Sequence, residues 1–197
     1  MKKIELSLLA ALALCIMALA FQLPFARACE DLTEDAFRLH ILANSDGETD
    51  QAVKLAVRDA ILAESGDLFA RADSSHDAAV AAQHRLSDIE RIADETLRAN
   101  GCGYTARAYV TEMPFETRYY DDFTLPAGTY TALRIELGKA EGHNWWCVLY
   151  PALCLPAAET QDELDAFTDE ERAVVEGGDK YVLRFKFLEW FESRGAD

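Results

Sequence analysis

Two cysteines and a histidine lie close together in the segment GHNWWCVLYPALC, residues 142–154. His143 precedes Cys147 by four residues, and Cys154 follows Cys147 by seven. A thiolate served by a histidine base is a nucleophile, whereas two cysteines outside the cytoplasm are expected to form a disulfide. In an extended chain about 13 Å separates the Cα atoms of His143 and Cys147, too far for a direct hydrogen bond. The spacing therefore favours a disulfide between Cys147 and Cys154, and His40 is a base that only the fold could bring to Cys147.

Many polar residues lie within and after the segment FRLHILAN, residues 37–44. They include His40, Asn44, Ser45, Asp46, Asp50, Lys54, Arg58 and Asp59. Ser45 and Glu48 have the spacing of a helix capping box, so capping and buried hydrogen bonding explain such a set most simply. A surface that binds a partner is the second interpretation. An active site that uses Ser45 and Asp46 is the third.

Two adjacent tryptophans could add an anchor for a partner. Trp145 and Trp146 lie in a predicted strand, where neighbouring side chains point to opposite faces. At least one of them is therefore expected in the core, and the other is a candidate contact for a partner. The candidate partner-binding set is His40, Asn44, Asp46, Asp50, Lys54, Arg58, Asp59, Trp145 and Trp146.

The sequence lacks the motifs of the common enzyme and metal sites. It has no HExxH, GxSxG, Walker loop or CxxC motif. His76 and His84 are eight residues apart on a predicted helix, too far for both to bind one metal by themselves. Carboxylates are so numerous that no pair stands out as a catalytic acid and base. We therefore predict no catalytic residue, metal, cofactor or small-molecule substrate.

The N-terminal segment has the layout of a secretory signal peptide. Two lysines and one glutamate precede a charge-free run from Leu6 to Ala26, and Ala26 and Ala28 form an A-x-A pattern before Cys29. Cleavage is expected after Ala28, which assigns residues 1–28 to the signal peptide. An uncleaved membrane anchor and a lipoprotein that begins at Cys29 are the alternatives. Cys29 and Cys102 could also pair with each other.

The chain is strongly acidic, with a formal net charge of −16 at pH 7. Such a surface repels the phosphates of nucleic acids and the headgroups of anionic lipids. Nucleic acid is therefore not an expected partner. Membrane association is expected only through the N-terminal segment.

Apolar periodicity predicts one α+β domain at residues 29–157. Alternation predicts a strand at residues 37–44, helical spacing predicts helices at about residues 50–64 and 75–99, and alternation resumes from residue 104 onward. We expect the N-terminal strand and the two helices to pack on an antiparallel β-meander that ends in the WWC strand. Residues 158–197 form an acidic C-terminal extension, with a solvated helix between Glu159 and Asp179 and an amphipathic segment at residues 181–191.

Two long motifs resemble those of the stage II sporulation protein R family of endospore-forming bacteria. They are RLHILANSDGETDQAVKLAVRDAIL at residues 38–62 and LPAGTYTALRIELGKAEGHNWWCVLYPALC at residues 125–154. The resemblance extends from about residue 36 to 155. Tyr150 stands where the family usually has phenylalanine, and FETR at residues 115–118 lacks an expected proline after the aromatic residue.

The resemblance implies an exported signalling protein rather than an enzyme. Members of that family are made in the forespore and exported to the space between the forespore and mother-cell membranes. There they are needed for a membrane-embedded aspartic protease to process pro-sigma E in the mother cell. That protease is the expected partner of this chain, and the intermembrane space is its expected location. The alternative function is a secreted cell-envelope hydrolase that uses Cys147 or the corner at Ser45 and Asp46.

Overall fold

The computed structural model describes residues 2–120, 123–153 and 167–177. These residues belong to two compact units. The first unit is drawn from Met1–Leu32, Glu116–Gly128 and Asp169–Asp197, and the second from Thr33–Phe115 and Thr129–Thr168. In chain order the elements are α1 (Lys2–Asp35), β1 (Phe37–Leu42), α2 (Glu48–Ala70), α3 (Ser75–His84), α4 (Leu86–Ala99), β2 (Ala106–Phe115), β3 (Arg118–Tyr119), β4 (Thr124–Leu125), β5 (Gly128–Leu137), β6 (Asn144–Tyr150) and α5 (Asp169–Glu176).

A four-stranded sheet with the order β2-β5-β1-β6 is the centre of the second unit. β1 runs parallel to β5 and antiparallel to β6, so that Leu39 lies opposite Leu133 on one side and Cys147 on the other. The predicted α+β class is confirmed, and the sheet is mostly antiparallel. The strand order differs from a meander, because β1 is inserted between β5 and β6. This central position explains why every residue of β1 from Phe37 to Ile41 is buried.

The helices of the second unit cover one face of the sheet with apolar side chains. Leu39 and Ile41 of β1 share a buried cluster with Val53, Val57 and Ile61 of α2. The predicted apolar face of the first helix is thus confirmed, although the helix is longer at both ends than residues 50–64. The apolar residues whose spacing predicted the first helix therefore pack against this face of the sheet.

The predicted second helix, residues 75–99, is two helices separated at Arg85. Arg85 has φ −112° and ψ 11°, outside helical values, and ends α3 while it begins α4. Ala82 and Ile89 are both fully buried on either side of this break. Because the apolar spacing continues across Arg85, periodicity alone gave no sign of the interruption.

Two carboxylates of α4 cover part of the outer edge of β2. The main-chain N–H of Ala106 donates to Asp94 Oδ1 at 2.7 Å, and that of Ala108 donates to Glu90 Oε1 at 2.9 Å. Glu90 and Asp94 are one helical turn apart, about 6 Å along the axis, which is close to the rise of two residues along a strand. The helix thus satisfies N–H groups that an edge strand otherwise leaves unpaired.

Removal of one of these acceptors should destabilise the protein. We expect Asp94→Ala to lower the free energy of unfolding by about 1 to 3 kcal/mol, because the N–H of buried Ala106 loses its partner. Asp94→Asn keeps an acceptor oxygen at the same place and should be markedly milder. Urea unfolding of the two variants measures the difference. An equal loss in both would show that the carboxylate charge, not the hydrogen bond, is responsible.

The first unit contains α1, the short antiparallel pair β3 and β4, and α5. In the pair, Arg118 lies opposite Leu125. α5 falls within the predicted acidic helix, but it is not fully solvated, because Glu171, Val174 and Val175 are buried. The rest of the acidic extension, including the amphipathic segment at residues 181–191, lies outside the described residues.

α1 carries several large apolar side chains that are exposed. They are Leu8, Leu9, Leu12, Leu14, Ile16, Met17 and Leu23. Within the described ranges, no helix combines the length and the apolar character needed to cross a membrane.

Candidate functional site

Two loops meet at one end of the sheet in the second unit. The corner, residues 43–50, joins β1 to the first turn of α2, and the β5–β6 loop comprises residues 138–143. Main-chain hydrogen bonds connect them directly, from Gly142 N to Ala43 O at 2.9 Å and from Glu141 N to Asn44 O at 3.3 Å. The Asn44 side chain adds another, since its Oδ1 accepts from Lys139 N at 3.0 Å. Asn44, Ser45 and Asp46 of the predicted polar set therefore lie in a corner that is joined to the β5–β6 loop, whereas Lys54, Arg58 and Asp59 lie on α2.

Asp50 is the centre of the hydrogen bonding inside the corner. Its carboxylate accepts from the Ser45 hydroxyl at 2.6 Å, the Asn44 amide at 2.8 Å and the Tyr104 hydroxyl at 2.6 Å. The bonds from Ser45, then Tyr104, then Asn44 lower the pKa of Asp50 below its ordinary value. Tyr104 was missed by sequence reasoning, because it follows Asp50 by 54 residues and has no motif of its own. Asp50 therefore braces the corner.

Ser45 does not cap α2, contrary to the spacing with Glu48. Gly47 occupies the N-cap position without a side-chain cap hydrogen bond, and the helix begins at Glu48. The Ser45 hydroxyl instead donates to Asp50 and accepts from the main-chain N–H of Gly47 at 3.2 Å. The carboxylate of Asp50 competes successfully for this hydroxyl, since charge-assisted hydrogen bonds are the stronger ones.

The stability of the protein should depend on the ionisation of Asp50. Because the folded-state pKa lies below the ordinary value of 3.8, the carboxylate contributes stability above that value and loses it as the pH falls through the folded-state pKa. We expect Asp50→Asn to be less stable than the parent at neutral pH. Its stability should also fall less steeply with acidification from about pH 5 downward. Urea unfolding across this pH range tests the prediction, and parallel curves would refute the assignment to Asp50.

Lys54 is a buried brace between α2 and the β5–β6 loop. Only 5% of the residue is exposed. Its amine donates to Gln51 Oε1 at 2.7 Å and to the carbonyl oxygens of His143 and Asn144 at 3.1 and 3.4 Å. Burial is the main cause that lowers the pKa of Lys54. The amine is thus used inside the fold rather than presented on the surface.

His40 and Trp146 form a stacked pair on the sheet face opposite to Leu39. Their ring centroids are 3.8 Å apart with an interplanar angle of 6°. His40 is 2% exposed and its Nε2 lies 2.6 Å from Asn144 Oδ1. Trp146 also meets the edge of Phe115, with centroids 4.8 Å apart. These two members of the candidate set are therefore packed into the unit.

Arg58, Asp59 and Trp145 lie together and reach the surface. The Arg58 guanidinium carbon is 4.2 Å from the centroid of the Trp145 ring. Arg58 Nε donates to Asp59 Oδ1 at 2.7 Å, and Nη2 lies 2.6 Å from the same oxygen. The side chains of Arg58 and Asp59 are 21% and 64% exposed. This group offers a cation, an anion and an aromatic ring within one small area.

Asp46 and His143 form an exposed pair across the two loops. Asp46 Oδ1 accepts from the main-chain N–H of His143 at 2.7 Å, and His143 Nδ1 contacts the same oxygen. The side chains are 58% and 76% exposed for Asp46 and His143 respectively. His143 was considered from its sequence only as a base for Cys147, and its exposed place beside Asp46 was missed.

Cys147 is buried, with 6% of the residue exposed, and it is disulfide-bonded rather than a free thiol. Its predicted partner, Cys154, lies outside the described residues, so the pairing of these two cysteines stays a prediction. Cys102 is a free cysteine, so the structure does not join it to Cys29. Among the described residues, no group of three or more histidine, cysteine or acidic side chains could hold a metal ion.

The candidate set thus divides into two groups. His40, Asn44, Asp50, Lys54 and Trp146 make contacts within the fold that brace the corner and the sheet. Asp46 and Asp59 are exposed, and half-buried Arg58 contacts both Asp59 and half-buried Trp145. We call the second group, together with His143, the corner surface.

Comparison with known proteins bears out the resemblance of the two motifs. Residues 33–160 match the family model described as stage II sporulation protein R. The chain is also 34% identical over 151 residues to the stage II sporulation protein R of Bacillus subtilis (strain 168), which covers 74% of this chain and 67% of that protein. No solved structure matches the chain. The chain belongs to the stage II sporulation protein R family.

Proposed function

We propose that the chain is an exported signalling protein that activates a membrane-embedded aspartic protease, which then processes pro-sigma E in the mother cell. Family membership supports a role in sporulation signalling. The protease and its substrate come from the resemblance of the two motifs. If this protease is the receptor, the protein must leave the producing cell and present a specific surface to it.

The observation that carries the proposal is the corner surface itself. Asp46 and His143 stand on loops that main-chain and side-chain hydrogen bonds hold in one arrangement, and Arg58, Asp59 and Trp145 stand on α2 and β6. A surface fixed before binding loses less conformational entropy when it meets a partner. Arginine and tryptophan, which here stack on each other, are also the residue types that most often dominate binding energy at protein interfaces.

Export is supported by the N-terminal segment. Large apolar residues of α1 such as Leu8, Leu12 and Ile16 are exposed, which is unusual for a soluble protein unless the surface has a use. A signal peptide gives these residues such a use, since the export machinery recognises an apolar segment after basic residues. The two lysines at the N-terminus fit that arrangement.

The test is to reconstitute signalling outside sporulation. The full chain is co-expressed with the protease and its sigma-factor substrate in a host that does not sporulate, and cleavage of the substrate is followed. We expect cleavage with the full chain and none without it. A version that lacks residues 1–28 should fold but stay in the producing cell and give no cleavage. Absence of cleavage with the exported full chain would refute the proposal, and full activity of the truncated chain would refute the need for export.

A further inference from the structure

We infer that His143 is one of the residues of the corner surface that contact the protease, and that Asp46 is a positioning residue that holds it. The inference rests on the proposed function and adds to it a specific contact and the chemistry of its partner. In this view Asp46 acts on the receptor mainly through His143, while its own carboxylate stays bound within the chain.

His143 is exposed and yet fixed at three points. Its main-chain N–H donates to Asp46, its carbonyl oxygen accepts from the amine of Lys54 at 3.1 Å, and its ring contacts Asp46 through Nδ1. A side chain that is 76% exposed normally samples several rotamers. Here the ring is held before any partner arrives, so binding to it orders little that is not already ordered.

The pairing with Asp46 also determines which ring nitrogen remains for a partner. An ionised carboxylate can only accept hydrogen bonds, so Nδ1 must carry the proton in this contact. In the neutral ring, Nε2 then has a lone pair and is an acceptor. Among the described residues Nε2 of His143 makes no hydrogen bond. The group that meets Nε2 of the neutral ring is therefore a donor.

The surrounding charge favours a cationic donor. Asp46, Glu48 and Glu141 are all exposed in the corner and the β5–β6 loop, where they outnumber the exposed amine of Lys139. They belong to a chain with a formal net charge of −16. A lysine or arginine on the part of the protease outside the membrane would donate to Nε2 and would be attracted by the neighbouring carboxylates.

Two substitutions at position 143 distinguish a side chain that contacts the protease from one that only makes hydrogen bonds within the chain. An asparagine at position 143 can put its amide nitrogen near the place of Nδ1 and keep the bond to Asp46. A glutamine is one carbon longer and can put its amide near the place of Nε2. If His143 contacts the protease, Gln should preserve function better than Asn, whereas a purely internal brace should show the reverse order.

The variants His143→Ala, His143→Asn and His143→Gln are tested as full exported chains in the co-expression assay, with cleavage normalised to the folded, exported amount. We expect Ala and Asn to reduce cleavage about tenfold or more, as for loss of a central interface contact, and Gln to remain within about threefold of the parent. Unchanged cleavage with Ala, or a Gln variant no better than Asn, would overturn the inference. Failure of the parent chain to trigger cleavage would refute the proposed function instead, so the two failures are distinguishable.

The cationic partner has its own test. Glu141→Lys places a positive charge in the same loop as His143 and should lower cleavage about tenfold if the partner group is a cation. Glu112→Lys makes the same change at an exposed position of β2 and should leave cleavage near that of the parent. Equal cleavage in the two variants would overturn the assignment of a cationic partner.

Discussion

Arg58→Ala is expected to abolish sigma-factor processing while the protein remains exported and cooperatively folded. In the folded protein, Arg58 makes an ion pair with exposed Asp59 and stacks on Trp145. The ion pair contributes about 0 to 1 kcal/mol, and the cation–π contact of this half-buried arginine contributes about 0.5 to 2 kcal/mol. The substitution should therefore make the protein less stable but leave it folded. At an interface, in contrast, an arginine can hold a carboxylate with two parallel hydrogen bonds, and its removal leaves that partner unpaired.

Asp46→Ala should have the same pattern, because it releases the ring and the main-chain N–H of His143. A matched control is Arg91→Ala on α4, where an exposed arginine is paired with Glu95 at 3.0 Å. That variant should lose no more stability than Arg58→Ala and should signal normally. The measurements are substrate cleavage, exported amount and urea unfolding on the same proteins. Normal processing by a stable Arg58→Ala protein would remove Arg58 from the binding surface and leave Trp145 as the next candidate.

The elements of the second unit could be predicted where the pattern was local. Alternation at residues 37–44 and the spacing of Val53, Val57 and Ile61 each report which side chains face an apolar layer. The same residues form the buried cluster. The order of the strands could not be predicted in this way, because the pairing of Leu39 with both Leu133 and Cys147 depends on contacts about a hundred residues apart.

The roles within the candidate set were also only partly predictable. The sequence predicted a set of polar residues near one corner, but it could not separate those used inside the fold from those left exposed. That separation depends on distant partners, such as Tyr104 for Asp50 and the carbonyl oxygens of His143 and Asn144 for Lys54. The capping interpretation of Ser45 failed for a local reason, because its hydroxyl donates to nearby Asp50 instead.

Gly142→Ala should be among the most damaging single substitutions in the second unit. A Cβ at this position would lie 2.5 Å from the carbonyl carbon of Ser45 and closer still to its oxygen, so main chain rather than a flexible side chain obstructs it. The β5–β6 loop would have to move away from the corner, with loss of the hydrogen bond from Gly142 N to Ala43 O. We expect the free energy of unfolding to fall by about 2 to 4 kcal/mol from overpacking and the lost hydrogen bond together.

Gly66→Ala is the matched control for this change, and the two variants together test whether the contact between the loops matters for signalling. Gly66 lies in α2 with no atom within 4 Å of an added Cβ, so alanine there should raise stability by about 0.5 to 1 kcal/mol. Urea midpoints measure both effects. In the co-expression assay, Gly142→Ala should lose more cleavage than its folded fraction explains, because even the folded molecules hold His143 and Asp46 in displaced positions. A Gly142→Ala protein with unchanged stability would contradict the close approach of the two loops. If cleavage fell only in proportion to the folded fraction, the arrangement of the two loops would not affect binding to the protease.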